Sequence, residues 1–185
     1  MSEFIVLDVE TTQHPTTRKE EIIEFAAIAV NRRFEFLSEV EYLVNPGFSL
    51  SFITKKVTGI KDHHLSGKES IEQIIPSIHS FISGKRVVAH NAHFELQVIK
   101  NAYERCKREP PQTTFIDSLK IARSLFPNEK ANLTMLKQKF GIHAESHRAK
   151  ADVVATIEIL KRLSEIYKEK TQKDLTEDLD LFRIN

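Results

Sequence analysis

Residues 4–12 read FIVLDVETT, an apolar run of strand-forming residues that ends in two carboxylates two positions apart. Side chains alternate faces along a strand, so Asp8 and Glu10 project the same way and crowd each other. Open α/β sheets bind ligands at the C-terminal ends of their strands, which is where this pair falls. A fold built on this strand has to close around an acidic pole and supply it with a partner.

The remaining sequence provides the sheet. EIIEFAAIAV (21–30) and RFEFLSEVEYLV (33–44) are runs of bulky and branched residues joined by turn-like NRR, and VNPG closes the second. They predict a three-strand meander. SFITKKVTGI predicts a short helix that stops near Gly59, and Ile71, Ile74, Ile75, Ile78 and Ile82 recur at helical spacing before Gly84. Pro76 is expected to bend or divide that helix. RVVAH reads as a short strand followed by a helix that runs through Arg105, and PPQTTFIDSL as breaker, strand and helix start. NLTMLKQKFG and a long segment over 147–170 complete the helices. A meander followed by alternating strands and helices predicts the α/β class, a mixed sheet with helices packed on it. Residues 171–185, TQKDLTEDLDLFRIN, lose the helical period and read as a tail.

Composition narrows the function. At 185 residues and 41% hydrophobic, the chain fits one domain able to close a core without staples. The lone Cys106 excludes an internal disulfide framework and fits a reducing interior. No apolar stretch approaches the roughly 20 residues of a membrane span, and MSEFIVLDVE places acids where a secretory signal is basic. These features predict a cytoplasmic protein with no membrane partner. A net charge of +1 argues against a scaffold that holds nucleic acid by charge alone, and argues much less against an enzyme that must release its product.

Two further acids stand where packing alone would not choose them. Glu95, in AHNAHFE, falls in the first turn of a helix, where a carboxylate is favoured by the helix dipole. Ile99 and Ala102 lie on its stripe, which turns it inward. Asp152, in SHRAKAD, shares a face with Thr156, Ile159 and Leu163 and also turns toward the core. If the four acids converge, two charges ~4 Å apart repel by roughly 4 kcal/mol at an effective dielectric near 20. Oxygen-only ligands without a Cys/His cluster point to a hard divalent ion, Mg²⁺ or Mn²⁺. Two such ions suit the attacking and leaving oxygens of a phosphoryl displacement. His147, just ahead of the long helix, is placed to lean over the site and take a proton from an attacking water. An exposed helix-start histidine is the alternative.

These motifs resemble the DEDDh 3′–5′ exonucleases of the DnaQ-like, RNase H-related superfamily, from Phe4 to about Leu163. VLDVETT resembles the first motif, VVAHNAHFE the second and HRAKADVVAT the third, with Gly59-Ile60 and IDSLKIARSLFP matching the intervening pattern. The resemblance implies an RNase H-like five-stranded mixed sheet flanked by helices, with an exonuclease domain over 1–170. It implies that Asp8, Glu10 and Asp152 hold the catalytic ion, that Asp8 bridges to a second ion placed by Glu95, and that His147 is the general base. It further implies that Val9, Thr11, Thr12, Asn91, Phe94 and an apolar wedge at Ile60 grip the terminal nucleotide. Core packing for Ile60 and Phe94, and turn roles for the threonines, are the alternatives. Position 95 departs from the family, which ordinarily carries aspartate there. Likeness to the proofreading subunit of bacterial DNA polymerase III makes single-stranded DNA 3′ ends the first expected substrate and RNA ends the second, with a polymerase subunit as partner. EDLDLF (177–182) resembles in part the peptide by which replication proteins dock in the sliding clamp, with Leu179, Leu181 and Phe182 as contacts. A terminus whose leucines fold back on the domain is the alternative.

Overall fold

The computed structural model describes residues 4–144 and 147–184. Strands β1 (Phe4–Gln13), β2 (Glu20–Val30) and β3 (Phe36–Leu43) form the meander, and β4 (Arg86–Ala89) and β5 (Thr114–Asp117) add to it in parallel. The sheet order is β3-β2-β1-β4-β5, with β1–β2 and β2–β3 antiparallel. This is the mixed RNase H-like sheet expected from the motifs.

Helices follow the apolar periods. They are α1 (Phe52–Thr58), α2 (Asp62–Leu65), α3 (Ile71–Ile82), α4 (His93–Arg105), α5 (Ser118–Leu125), α6 (Leu133–Phe140), α7 (Ala149–Thr171) and α8 (Leu175–Asp178). Gly59 ends α1 in the left-handed conformation, φ 70°, that a residue without Cβ adopts at least cost. Contrary to expectation, Pro76 does not divide α3, which runs unbroken across it with Ile71, Ile74, Ile75, Ile78 and Ile82 buried. The long helix begins at Ala149, two residues later than the sequence suggests, because Arg148 and His147 are extended and left-handed respectively. The one-turn α2 was not foreseen.

Alternation along β1 divides the core. Phe4 and Val6 face one layer with Ala26, Ile28, Leu136, Val153 and Leu160, which packs α5, α6 and α7 on the sheet. Ile5, Leu7 and Val9 face the other with Phe25, Ile74, Val98 and Tyr103, which packs α3 and α4. Asp8 and Glu10 continue the first face, so both carboxylates turn toward α7.

The segment read as a tail is folded onto the domain. Leu175 and Leu179 are fully buried beside α7, and the Tyr167 hydroxyl donates to Asp178 at 2.8 Å. Leu179–Phe182 forms a 3₁₀ turn, Phe182 meets Tyr167 edge to face, and the Ile184 amide donates to the Phe115 carbonyl at the sheet edge, 2.9 Å. Of the three side chains assigned to a clamp, Leu181 is exposed, Phe182 is half-buried and Leu179 is wholly enclosed. The reason is spacing: Leu175, Leu179 and Phe182 fall at i, i+4 and i+7 and make one apolar stripe against α7. No helix of the described residues is long and apolar enough to cross a membrane.

Candidate active site

Pairing between β1 and β4 ends at Val6 and Val88, while β1 continues to Gln13 against β2 alone. The acids of β1 therefore emerge past the end of β4, where α4 starts. A bulge between Glu10 and Thr11 re-aims the strand at this point.

Asp152, in the first turn of α7, completes a cluster with them. One carboxylate oxygen each from Asp8, Glu10 and Asp152 lies within 4.8 Å of the others. At separations up to that, and at a dielectric near 20, each like-charged pair costs at least roughly 3.5 kcal/mol. Proton affinities respond accordingly. Asp8 is pushed well above the usual carboxylate range, first by burial and then by Glu95, Asp152, Glu10 and Glu24. Glu10 is pushed up to about 7 by burial, Asp152 and Glu24, partly offset by Arg148. An oxygen-only donor set that struggles to ionise by itself fits a hard divalent cation, which would replace the protons.

Glu95 is placed differently. It is buried at the start of α4, its Oε2 has no hydrogen-bond partner, and it lies outside the three-carboxylate cluster. Burial, with a smaller contribution from Asp117, pushes it up to about 8, although its own backbone amide works against the rise. Its charge is felt by Asp8, so it borders the pole without joining it.

His147 sits in the loop ahead of α7, exposed, with a left-handed φ of 63°. Its backbone N–H donates to Asp152 Oδ2 at 2.8 Å. The rare backbone conformation is thereby tied to a cluster acid. The other Asp152 oxygen, Oδ1, accepts from the buried Lys137 of α6 at 3.4 Å.

The remaining expected residues divide. Asn91 is exposed with φ 70°, and Phe94 is partly exposed beside it. Thr11 donates to Glu20, and Thr12 is buried and accepts from Thr54, so both hydroxyls knit β1 to its neighbours. Val9 lies in the core below the sheet. Ile60, expected as an accessible wedge, is 2% exposed and packs with Ile23, Leu50 and Leu65.

Three residues were missed. Glu24, buried opposite Glu10 on β2, accepts from Arg148 Nη2 at 2.7 Å and Nε at 3.1 Å, and from the Ala149 amide at 2.9 Å. It pins the start of α7 to the sheet. Lys137 supplies the buried cation just described. Asp117 caps α5 and accepts from the Asn91 amide at 3.0 Å, fixing the loop that leads into α4. Glu24 gave a signal, an acid inside the continuous apolar run IIEFAAIAV, and so did Asp117, an N-cap residue type at the strand-to-helix junction in FIDSL.

Carboxylates from β1 and α7, gathered at the strand ends of a mixed sheet, form a group that could hold a divalent metal ion. Residues 5–160 match the RNase_T family of exonucleases, and the chain belongs to that family. It is 34% identical over 176 residues to the PolC-type DNA polymerase III of Halalkalibacterium halodurans, an alignment covering 94% of this chain and 12% of that protein. With the 3′-5′ exonuclease DinG of Bacillus subtilis it shares 28% over 195 residues, 97% of this chain and 21% of that one. The chain thus spans a small part of the length of these relatives. Among solved structures it superposes on E. coli exonuclease I in complex with a dT13 oligonucleotide with a TM-score of 0.80, at 21% identity, covering 93% of this chain and 43% of that one. Exonuclease X in complex with 5′ overhanging duplex DNA gives a TM-score of 0.70 at 21% identity, covering 97% and 99%.

Proposed function

We propose that the chain is a metal-dependent 3′–5′ exonuclease that releases nucleoside 5′-monophosphates from single-stranded DNA ends, working in the cytoplasm beside a DNA polymerase in proofreading or repair. The observation that carries this reading is the meeting of Asp8, Glu10 and Asp152, with His147 tied to Asp152 through its own amide. Family membership and the PolC-type relatives support it.

In this reading Asp8, Glu10 and Asp152 would hold Mg²⁺ or Mn²⁺, with Glu95 bordering a second ion. Such cations would neutralise charge at the scissile phosphate and ease ionisation of water. The His147 imidazole accepts the proton of the attacking water. The new bond forms between water oxygen and phosphorus, and the bond from phosphorus to the preceding 3′ oxygen breaks. The shortened strand leaves with a free 3′ hydroxyl. Lys137 and the His147 amide hold Asp152 in one orientation throughout, so the acid does not have to reorganise during turnover.

A second reading, a weakly active nucleic-acid-binding accessory subunit, is favoured by one observation: Glu95 stands apart from the cluster. A 3′-labelled oligonucleotide separates the two. Loss of label that requires Mg²⁺ or Mn²⁺, stops with chelator and disappears in Asp8→Asn supports the exonuclease. Retention of label at every metal concentration supports the accessory role. Matched DNA and RNA strands in one competition then rank the sugar preference, and a faster loss of RNA would move the assignment to RNA trimming.

A further inference from the structure

Beside the acidic pole, on the β3 side, lies an open cleft of about 750 Å³ lined by Leu43, the end of α1 from Lys56 to Ile60, His64, Lys68 and Arg148. Its charged lining is basic: two lysines and an arginine, with no carboxylate among the lining residues. The Lys56 and Lys68 side chains are exposed, and among the described residues neither ammonium is engaged in an ion pair. His64, at the same wall, has its imidazole pushed below its ordinary range by desolvation and then by His63, Lys61 and Arg148.

Two features connect the cleft to the reaction centre, and a third marks its rim. Arg148 directly follows His147 and is held by Glu24, which pairs with Glu10 across β1 and β2. Thr54 of α1 donates to Thr12, two residues beyond Glu10. One turn before Lys56, α1 presents Phe52 and Ile53, 78% and 72% exposed, on a surface where such side chains have no packing role. Basic groups tracking a groove beside an exposed aromatic are the chemistry of single-stranded nucleic acid, phosphates on the cations and bases on the ring.

We propose that this cleft, through Lys56 and Lys68, holds backbone phosphates of the nucleic-acid strand other than the one being cleaved, with Phe52 as a platform for a base. The proposal rests on the exonuclease reading of the neighbouring site. It assigns the cleft to the strand and not to the phosphate of the released nucleotide. A chain with net charge of only +1 needs such a local concentration of cations to hold a polyanion.

The test is fluorescence anisotropy of a labelled single-stranded oligonucleotide over a salt series, in an Asp8→Asn background that does not turn the strand over. The Lys56→Ala/Lys68→Ala pair is added to that background, with melting temperatures confirming an intact fold. Loss of two phosphate contacts should reduce the slope of log Kd against log salt by about 1.4 and weaken binding by about tenfold at moderate salt. Inhibition of the Asp8-intact enzyme by nucleoside 5′-monophosphate should be the same with and without the two lysines. An unchanged slope and Kd would overturn the proposal, and so would weakened monophosphate inhibition with strand binding intact. If the Asp8-intact chain degrades no strand, the exonuclease reading fails, while the salt slope still decides whether the cleft holds a strand.

Discussion

Glu95→Gln should stabilise the metal-free protein at neutral and alkaline pH, and the effect should vanish in acid. The folded chain keeps the Glu95 proton to about pH 8, against an ordinary value of 4.5, chiefly because the carboxyl is buried and its Oε2 has no partner. The group therefore contributes its full stability below pH 4.5 and loses it as pH rises toward 8. At about 1.4 kcal/mol per decade of proton affinity, the loss is about 3 kcal/mol at pH 7 and approaches about 5 kcal/mol above pH 9. Glutamine keeps the shape and carries no charge, so it removes this slope. Denaturant unfolding in chelator from pH 5 to 9 gives the curves for both proteins. They should meet near pH 5 and separate by several kcal/mol at pH 9, about 2–4 °C in Tm for each kcal/mol in a chain of this size. Saturating Mg²⁺ should flatten the wild-type curve if the ion takes the place of the proton. Parallel curves for the two proteins across the range would refute the account of Glu95 as a strained, unpartnered acid.

Other substitutions test the supports of the site. Glu24→Ala removes the acceptor of both Arg148 and the Ala149 amide, so we expect a loss of about 2–3 kcal/mol in urea unfolding, with a fall in turnover as the start of α7 loosens. Asp152→Asn should lower the single-turnover rate by roughly 10²–10³-fold while leaving the far-UV spectrum unchanged. Leu179→Ala should cost about 2–5 kcal/mol because its side chain is fully buried, whereas Leu181→Ala at an exposed position should stay within about 0.5 kcal/mol. Equal effects of the two leucines would show that the C-terminal segment is not docked in solution.

Local periodicity made most of the fold legible. Alternation in residues 4–12 placed Asp8 and Glu10 on one face, and the apolar stripe through Thr156, Ile159 and Leu163 turned Asp152 inward. Those two inferences deliver the cluster seen in the structure. What stayed hidden depends on partners distant in sequence. Glu24 meets Arg148 across 124 positions, and Asp117 reaches the Asn91 amide across 26. No window of local sequence contains either pair. For the C-terminal segment the sequence left a free tail and leucines folded back on the domain both open, and the structure shows the second. Its helical stripe is only two turns long, too short to stand out as a period, yet a fully formed α7 gives those leucines a surface to cover.

Arg148 connects these observations. Its guanidinium neutralises the buried Glu24, lowers the proton affinity of Glu10, and lines the basic cleft. Its backbone stands between His147 and the first residue of α7. A single cation at this position lets an acidic pole suited to metal ions lie directly against a surface suited to phosphates. Without it, the field of the uncompensated acids would extend into the cleft and oppose the strand at short range, where salt screens least. Replacing Arg148 by glutamine should therefore do two separable things: raise the Glu10 proton affinity further and weaken strand binding. A lysine at this position should restore much of the second, because charge alone serves phosphate attraction, but less of the first, because the fork that grips Glu24 through two nitrogens is lost.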